Sequence, residues 1–278
     1  SAPLRALTGW PLLPADGGVA YALAADGLKG SRMLEYSEGS SARSRALARC
    51  FGGGGCLRLD GRVCRSHPQL YEFVHRVSAC AVLVAFRVAG SSLGVEVSKL
   101  FASTTLEERR ALRSMLAERR HVEERELQAE GALLETLLAL PVYEVHGMRG
   151  GDAASDGGAD SQIAGVGAGP EASDGSACVS LRVEEHRLAP GGVSFGLLDS
   201  RFVRCMVPGE EGLVRFAGVA QLTRSRFYRE HVFPRIADLE AAERDKAMLT
   251  ALHELHALCA EDGGFQGALR ELAFVPVG

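Results

Sequence analysis

The sequence predicts an α+β fold in which mixed short strands pack with helices. Short apolar segments flank turn-forming residues, and longer segments repeat apolar residues at helical spacing. There is also a weak internal similarity, because the Pro-marked segment at 7–14 resembles those at 137–143 and 272–277. We therefore predict two subrepeats, each a hairpin followed by helices, at 1–139 and 140–278.

Composition argues against two classes of partner. Of the 278 residues, 46% are hydrophobic and 24% are charged, with a net charge of −4. These are ordinary globular values, and they suggest no basic stripe of the kind that binds nucleic acid. The longest apolar run, at 79–89, is far shorter than the roughly 20 residues that span a bilayer. We expect neither nucleic acid nor a membrane as a partner.

The seven cysteines favour a reducing compartment. Their number is odd and their spacing wide, unlike the dense disulfide frameworks of secreted proteins. The chain opens without a signal peptide and ends on an apolar, strand-like run at 274–277. We expect a cytoplasmic piece of a longer modular protein.

The first subrepeat begins with a hairpin at 10–23, because Asp16-Gly17-Gly18 separates two apolar runs. Ser66 and Pro68 predict a helix to about Ala79, followed by a strand at 82–88. A capping box of Thr105 and Glu108 then opens a helical region that extends to about Leu140, with a break near Gly131. Its apolar stripe contains Leu112, Met115 and Leu116. Its many Glu and Arg residues are interpreted as a solvated face.

The second subrepeat contains an insertion. Residues 147–177 are mostly Gly, Ala, Ser and Asp, with too few bulky apolar side chains to offset the entropy of ordering. We predict a disordered insertion within a hairpin formed by 140–145 and 178–183. A helix capped by Ser225 and broken at Pro234 follows.

A longer helix is predicted at about 240–261, followed by a short one at 265–272. The buried stripe of the longer helix is predicted to contain Met248, Leu252, Leu255 and Cys259. On this interpretation Leu252→Ala costs about 2–5 kcal/mol of stability.

One motif suggests catalysis. Gly90-Ser91-Ser92-Leu93-Gly94 matches the GxSxG pattern of a serine hydrolase, in which a strand leads through a sharp turn into a helix. Ser92 would be the nucleophile, and the glycines at 52–55 would form the oxyanion loop. Candidate partners are Asp199, Asp238, His253 and His256. Because no series of parallel strands precedes the motif, we prefer a plain turn and keep the hydrolase as the alternative.

Two groups of residues raise the possibility of a metal site. His253, His256 and Cys259 recur at intervals of three, which spreads their directions around a helix. The second group lacks the paired spacing of zinc ligands and contains Cys50, Cys56, Cys64 and His67. We interpret both groups as structural and assign no metal, cofactor or catalytic residue.

The pattern of proline, aromatic and leucine positions resembles the internal repeats of sacsin-like proteins. It includes the run Trp10-Pro11-Leu12-Leu13-Pro14, the segment 197–202, the segment 227–235, and a closing Phe265 with 274–276. A fainter version lies at 55–60 and 67–70.

The resemblance implies part of a giant modular cytosolic protein with chaperone-related roles in protein quality control and filament organisation. The ATPase motifs that open each large repeat of that family are missing here. The resemblance therefore implies a downstream, non-catalytic scaffold or client-contact module. The expected partners are other subrepeats of the same chain and protein clients or chaperones.

Overall fold

A computed structural model describes residues 6–14, 20–22, 33–36, 41–51, 57–146 and 178–272. The predicted α+β class is confirmed, with helices dominating. The predicted insertion at 147–177, the glycines at 52–55 and the closing strand at 274–277 lie outside the described residues.

The described strands form two separate pairs. Strands β1 (Pro11–Pro14) and β2 (Ala20–Ala22) are antiparallel, as the hairpin prediction requires. Strands β3 (Met33–Tyr36) and β4 (Leu57–Asp60) are parallel and are joined through helix α1 (Ala42–Phe51). The parallel pair was not foreseen, because neither strand is long enough to show an alternating pattern.

The middle of the chain is helical. Helix α2 (Gly61–Ser66) and a 3-10 turn (Pro68–Glu72) precede helix α3 (Ala79–Leu93). A second 3-10 turn (Val97–Phe101) leads into helix α4 (Leu106–Ala129) and helix α5 (Gly131–Ala139). The capping box of Thr105 and Glu108 and the break at Gly131 are confirmed.

Two predictions in this region are wrong. The helix expected from Pro68 to Ala79 is only a short 3-10 turn, and the strand expected at 82–88 is the middle of α3. Ser78 caps α3, since its side chain accepts a hydrogen bond from the amide of Ala81. The apolar run is helical because it is buried against α4 and α5, and a run without polar residues has no period to distinguish helix from strand.

The C-terminal part consists of short helices. The helices are α6 (Glu210–Phe216), α7 (Arg224–Phe227), a π-helical segment (Tyr228–Val232), a 3-10 turn (Phe233–Arg235), α8 (Ala241–His253), α9 (Leu255–Glu261) and α10 (Phe265–Arg270). The cap of α7 is Thr223 and not Ser225. Of the predicted hairpin between 140–145 and 178–183, only an isolated antiparallel bridge between Tyr143 and Val179 is present, and neither segment is a strand.

The long helix predicted at 240–261 is interrupted at Glu254, and the predicted stripe is wrong at Leu252. The buried side of α8 contains Ala247, Met248 and Ala251, whereas Leu252 is 47% exposed. The interruption turns α9 so that Leu258 becomes its buried residue, with Leu255 and Cys259 only partly buried. The predicted cost of Leu252→Ala therefore no longer holds.

The interior is divided into three apolar clusters. The largest extends from Leu34 to Val219 and is centred on α3, α4 and α5. A second lies between Leu197 and Leu269, and a small third surrounds Leu59 and Phe73. The largest cluster includes residues on both sides of the predicted boundary at 139/140, and the division into subrepeats stays a prediction.

Candidate functional site

The most concentrated polar chemistry lies around Arg113, whose side chain is fully buried. Its Nη1 donates a hydrogen bond to the carbonyl oxygen of Val142 at 2.7 Å, and its Nη2 donates to Glu144 Oε1 at 2.9 Å. Its Nε lies 2.9 Å from Glu210 Oε1, in an ion pair without hydrogen-bond geometry. One guanidinium thus links α4 to the 142–144 segment and to α6.

Glu144 is the second member of this group. Arg110 binds it through two hydrogen bonds, Nε to Oε1 at 2.8 Å and Nη2 to Oε2 at 2.6 Å. Burial alone would raise the pKa of Glu144, but the hydrogen bonds from Arg110 and Arg113 outweigh it and hold the pKa below its ordinary value. Glu144 is therefore ionised at neutral pH.

Glu210 completes the group, which we name the charged centre (Arg110, Arg113, Glu144 and Glu210). Its Oε2 accepts hydrogen bonds from the amides of Met206 and Val207, at 2.7 and 3.0 Å. Burial raises the pKa of Glu210, and the charge of Arg113 opposes that shift. Because Arg113 and Glu210 are fully buried, the charged centre joins chain segments and offers no open position to a substrate.

Two further charged residues of α4, Glu108 and Arg109, also bind other parts of the chain. Glu108 is almost completely buried, and its Oε1 lies 3.4 Å from the Nε atoms of both Arg45 and Arg49 of α1. Arg109 donates hydrogen bonds to the carbonyl oxygens of Phe101 and Pro141. The interpretation of these charges as a solvated face is wrong for the first half of α4. A signal was present in the sequence, since Arg113 stands three residues before the apolar Leu116.

The GxSxG motif does not have the setting that its chemistry needs. Ser92 lies in the last turn of α3, and Gly94 ends that helix in a left-handed conformation with φ of 60°. A nucleophile elbow instead places its serine between a strand and the start of a helix. The expectation of a plain turn is also inexact, because Gly90 to Leu93 are helical.

The proposed triad partners of Ser92 have other surroundings. The carboxylate of Asp199 is bound by Arg201 at 2.6 Å and by Arg235 at 3.0 Å. These hydrogen bonds outweigh burial, which acts in the opposite direction, and lower the pKa of Asp199. The side chains of Asp238, His253 and His256 are exposed. Asp199 thus anchors two arginines of the C-terminal part.

The two candidate metal groups are not assembled in the described part of the chain. Cys50 belongs to the largest apolar cluster and Cys64 to the small third cluster, while His67 is exposed and Cys56 lies outside the described residues. Burial raises the pKa of Cys50 to about 12, so this thiol stays protonated. Among the described residues, no group of three or more His, Cys, Asp or Glu side chains is placed to hold a metal ion.

A second buried centre was not foreseen. His231 lies in the π-helical segment, with its ring edge-on to Phe202 at 4.9 Å between centroids and tilted against Phe227 at 6.2 Å. Tyr228, Phe233 and Phe265 continue the stack of rings. Burial lowers the pKa of His231, and the charge of Arg201 acts in the same direction. We call these five aromatic residues with His231 the aromatic centre.

The surface carries an open groove of about 620 Å³ beside α3 and the junction of α4 and α5, which we name the Leu133 groove. Its apolar lining includes Val74, Ala81, Val84, Ala129 and Leu133. The Arg76 guanidinium lies 4.1 Å from the centre of the Tyr71 ring at the same groove. A groove with this lining can hold an apolar segment of another protein.

The chain has no counterpart among the proteins compared with it: no protein-family model, curated protein or solved structure matches. In the described part of the chain, no helix is long and apolar enough to cross a membrane.

Proposed function

We propose that this chain is a non-catalytic scaffold and client-contact module, which holds apolar segments of other proteins in the Leu133 groove. The observation that carries the proposal is the groove itself, which is lined by apolar residues and has a cation at its rim; of the apolar lining, Ala129 is exposed and Val84 is partly exposed. Glu130 also lines the groove but is paired with Arg87 at 3.6 Å, whereas Arg76 has no ion pair among the described residues. Its charge favours a client segment that has an acidic residue beside its apolar ones.

The use of the charged residues supports a non-catalytic role. In the charged centre, the arginines and carboxylates bind one another and so join chain segments. Asp199 is likewise bound by two arginines. A catalytic base or nucleophile instead needs access to substrate.

The proposal extends to the sacsin-like setting. The resemblance in the positions of proline, aromatic and leucine residues supports a downstream part of a sacsin-like internal repeat, with the two subrepeats at 1–139 and 140–278. In this setting the protein is cytoplasmic and chaperone-related. Its other partners are neighbouring subrepeats of the same chain.

A blocking substitution tests the groove. Ala129 is exposed and lines it, so Ala129→Arg places a long side chain in the groove without disturbing the interior. We expect a fluorescent peptide of leucine, phenylalanine and aspartate to bind the wild type and to lose most of its affinity for this variant. Ala132→Arg is the matched control, because Ala132 is exposed at the start of the next helix, α5, and does not line the groove. Equal binding to all three proteins would refute the proposal.

The hydrolase alternative is tested separately with a fluorophosphonate probe. We expect the wild type and Ser92→Ala to be labelled equally weakly. Labelling of the wild type that disappears in Ser92→Ala would establish a reactive serine and overturn the non-catalytic assignment.

A further inference from the structure

A second groove lies on another side of α5, and we name it the Leu138 groove. It has a volume of about 570 Å³ and is formed by the 3-10 turn at 97–101, the end of α5 and the segment 180–184. Two hydrogen bonds fix its wall: the Leu181 amide donates to the carbonyl oxygen of Leu138, and Ser180 Oγ donates to that of Ala139. The groove is therefore built by backbone contacts between elements that are distant in sequence.

The floor of this groove is apolar and partly open to solvent. Val97, Leu138 and Val183 line it, and each of them is only partly buried although it packs against the largest cluster. A partner side chain that covers this surface removes apolar area from water, which favours binding. The floor thus provides affinity for an apolar side chain but no specificity for charge.

The rim provides the specificity. Glu96, Glu135 and Glu184 line the groove and are exposed. Within the described part of the chain none of these three carboxylates has an ion pair; Glu96 only accepts a hydrogen bond from Ser98. Arg182 also lines the groove, but its Nη1 is bound by Glu185 at 2.9 Å. The groove therefore presents a net negative rim around an apolar floor.

We propose that the Leu138 groove binds a protein segment that carries lysine or arginine beside apolar side chains. The apolar side chains would cover Val97, Leu138 and Val183, and the cations would pair with the three glutamates. This partner differs in charge from the one that suits the Leu133 groove, where Arg76 favours an acidic residue. The two sites are separate, so either proposal can fail without the other.

The test is a fluorescence anisotropy titration of the whole chain with a short peptide that alternates leucine and lysine. We expect it to bind, and we expect binding to weaken as salt is added, because exposed charges are screened. Two control peptides separate the contribution of the cations from that of the apolar side chains. A leucine–glutamate peptide lacks the cations, and a glycine–lysine peptide lacks the apolar side chains. We expect both to bind at least about fivefold more weakly, because the first lacks the exposed ion pairs and the second lacks the apolar area that would be buried.

Two substitutions locate the site. Glu135→Gln with Glu184→Gln removes two rim charges, and we expect a roughly fivefold loss of affinity for the leucine–lysine peptide. Glu271→Gln is the matched control, because Glu271 is equally exposed and lies outside the groove. Ala139→Arg, at an exposed position of the lining, should block the groove and abolish binding.

Three outcomes would overturn the proposal. The first is no binding of the leucine–lysine peptide at all. The second is equal affinity for the glycine–lysine peptide, which would show unspecific charge attraction. The third is a loss of affinity in Glu271→Gln as large as that in the rim variant. None of these outcomes bears on the Leu133 groove, whose blocking variant Ala129→Arg should bind the leucine–lysine peptide like the wild type.

Discussion

The charged centre and the aromatic centre stabilise two halves of one chain by different means. Around Arg113, directed hydrogen bonds join α4 to the 142–144 segment, and a buried ion pair joins α4 to α6. Around His231, rings pack edge-on or tilted, and the imidazole Nδ1 has no hydrogen bond among the described residues. The first centre depends on the pairing of every charge, whereas the second depends on shape.

This difference indicates which kind of change should destabilise each part of the chain. A buried ion pair contributes little net stability, but removing one partner leaves a charge without compensation. The aromatic centre contains no ion pair that a substitution could break. It is expected to be sensitive to pH instead, because it holds the titratable ring of His231 in its neutral form. Both grooves lie against the half that contains the charged centre, so binding is expected to depend on that half.

The largest effect is expected from Arg113→Met, which leaves Glu144 and Glu210 buried together without their shared cation. We expect a loss of about 3–5 kcal/mol in the free energy of unfolding. Chemical denaturation measures it. The control is Arg215→Met, which removes an exposed pair with Glu211 and should cost about 0.5 kcal/mol or less. A cost for Arg113→Met as small as for the control would mean that the charged centre does not hold the fold.

A pair of substitutions in α8 tests the aromatic half. Met248 is buried and Leu252 is exposed on the same helix. Met248→Ala should cost about 2–5 kcal/mol through the cavity that it leaves. Leu252→Ala should change the free energy of unfolding by no more than about 0.5 kcal/mol. The reverse order in chemical denaturation would restore the stripe predicted from the sequence and contradict the placement of α8.

The pH dependence separates His231 of the aromatic centre from Glu144 of the charged centre. The pKa of His231 is lowered in the folded state, so its unfolded form takes up a proton first. Its contribution to stability is complete above the unfolded value of about 6.5 and is lost as the pH falls below it. The pKa of Glu144 is also lowered, and its contribution is lost only as the pH falls through the unfolded value of about 4.3 and below.

Between pH 7.5 and 5.5 the aromatic centre should therefore respond and Glu144 should not. His231→Phe keeps the ring and removes the titration, so we expect the melting temperature of this variant to fall less over that range than that of the wild type. Equal slopes for the two proteins would show that His231 is not held neutral. The charged groups that face this ring are Arg201, Asp199, Glu230 and Arg235.

The smallest effects on stability belong to the groove variants. Ala129→Arg and Ala139→Arg replace exposed residues at the ends of α4 and α5. Each should change the free energy of unfolding by about 0.5 kcal/mol or less while blocking its own groove. A large loss of stability would show that these positions support the fold. The Leu138 groove would then be tested with the glutamate variants instead.

Structural features that depend on neighbouring residues were predicted correctly from the sequence, and features that depend on distant residues were not. The capping box at Thr105 and Glu108 and the break at Gly131 depend on neighbouring residues, and both are present. Whether the run at 82–88 is helix or strand depends on what it packs against, which the run itself does not encode. Which side of α8 is buried likewise depends on its packing, and Leu252 lies on the exposed side.

The candidate sites show the same limit. GxSxG and the histidine spacings were visible in the sequence but lack the surroundings that their chemistry requires. Arg113 and Glu210 are almost 100 positions apart in the printed sequence, and only the fold brings them together. The grooves could not be predicted at all, since each is formed by segments that meet only in three dimensions.

The most direct test of the central claim is hydrogen–deuterium exchange of the whole chain with and without the leucine–phenylalanine–aspartate peptide. We predict slower exchange in the segments 71–84 and 129–133, which line the Leu133 groove, and unchanged exchange in α8 and α9. Slower exchange confined to the surroundings of Ser92, His253 and His256 would contradict the account and favour the hydrolase.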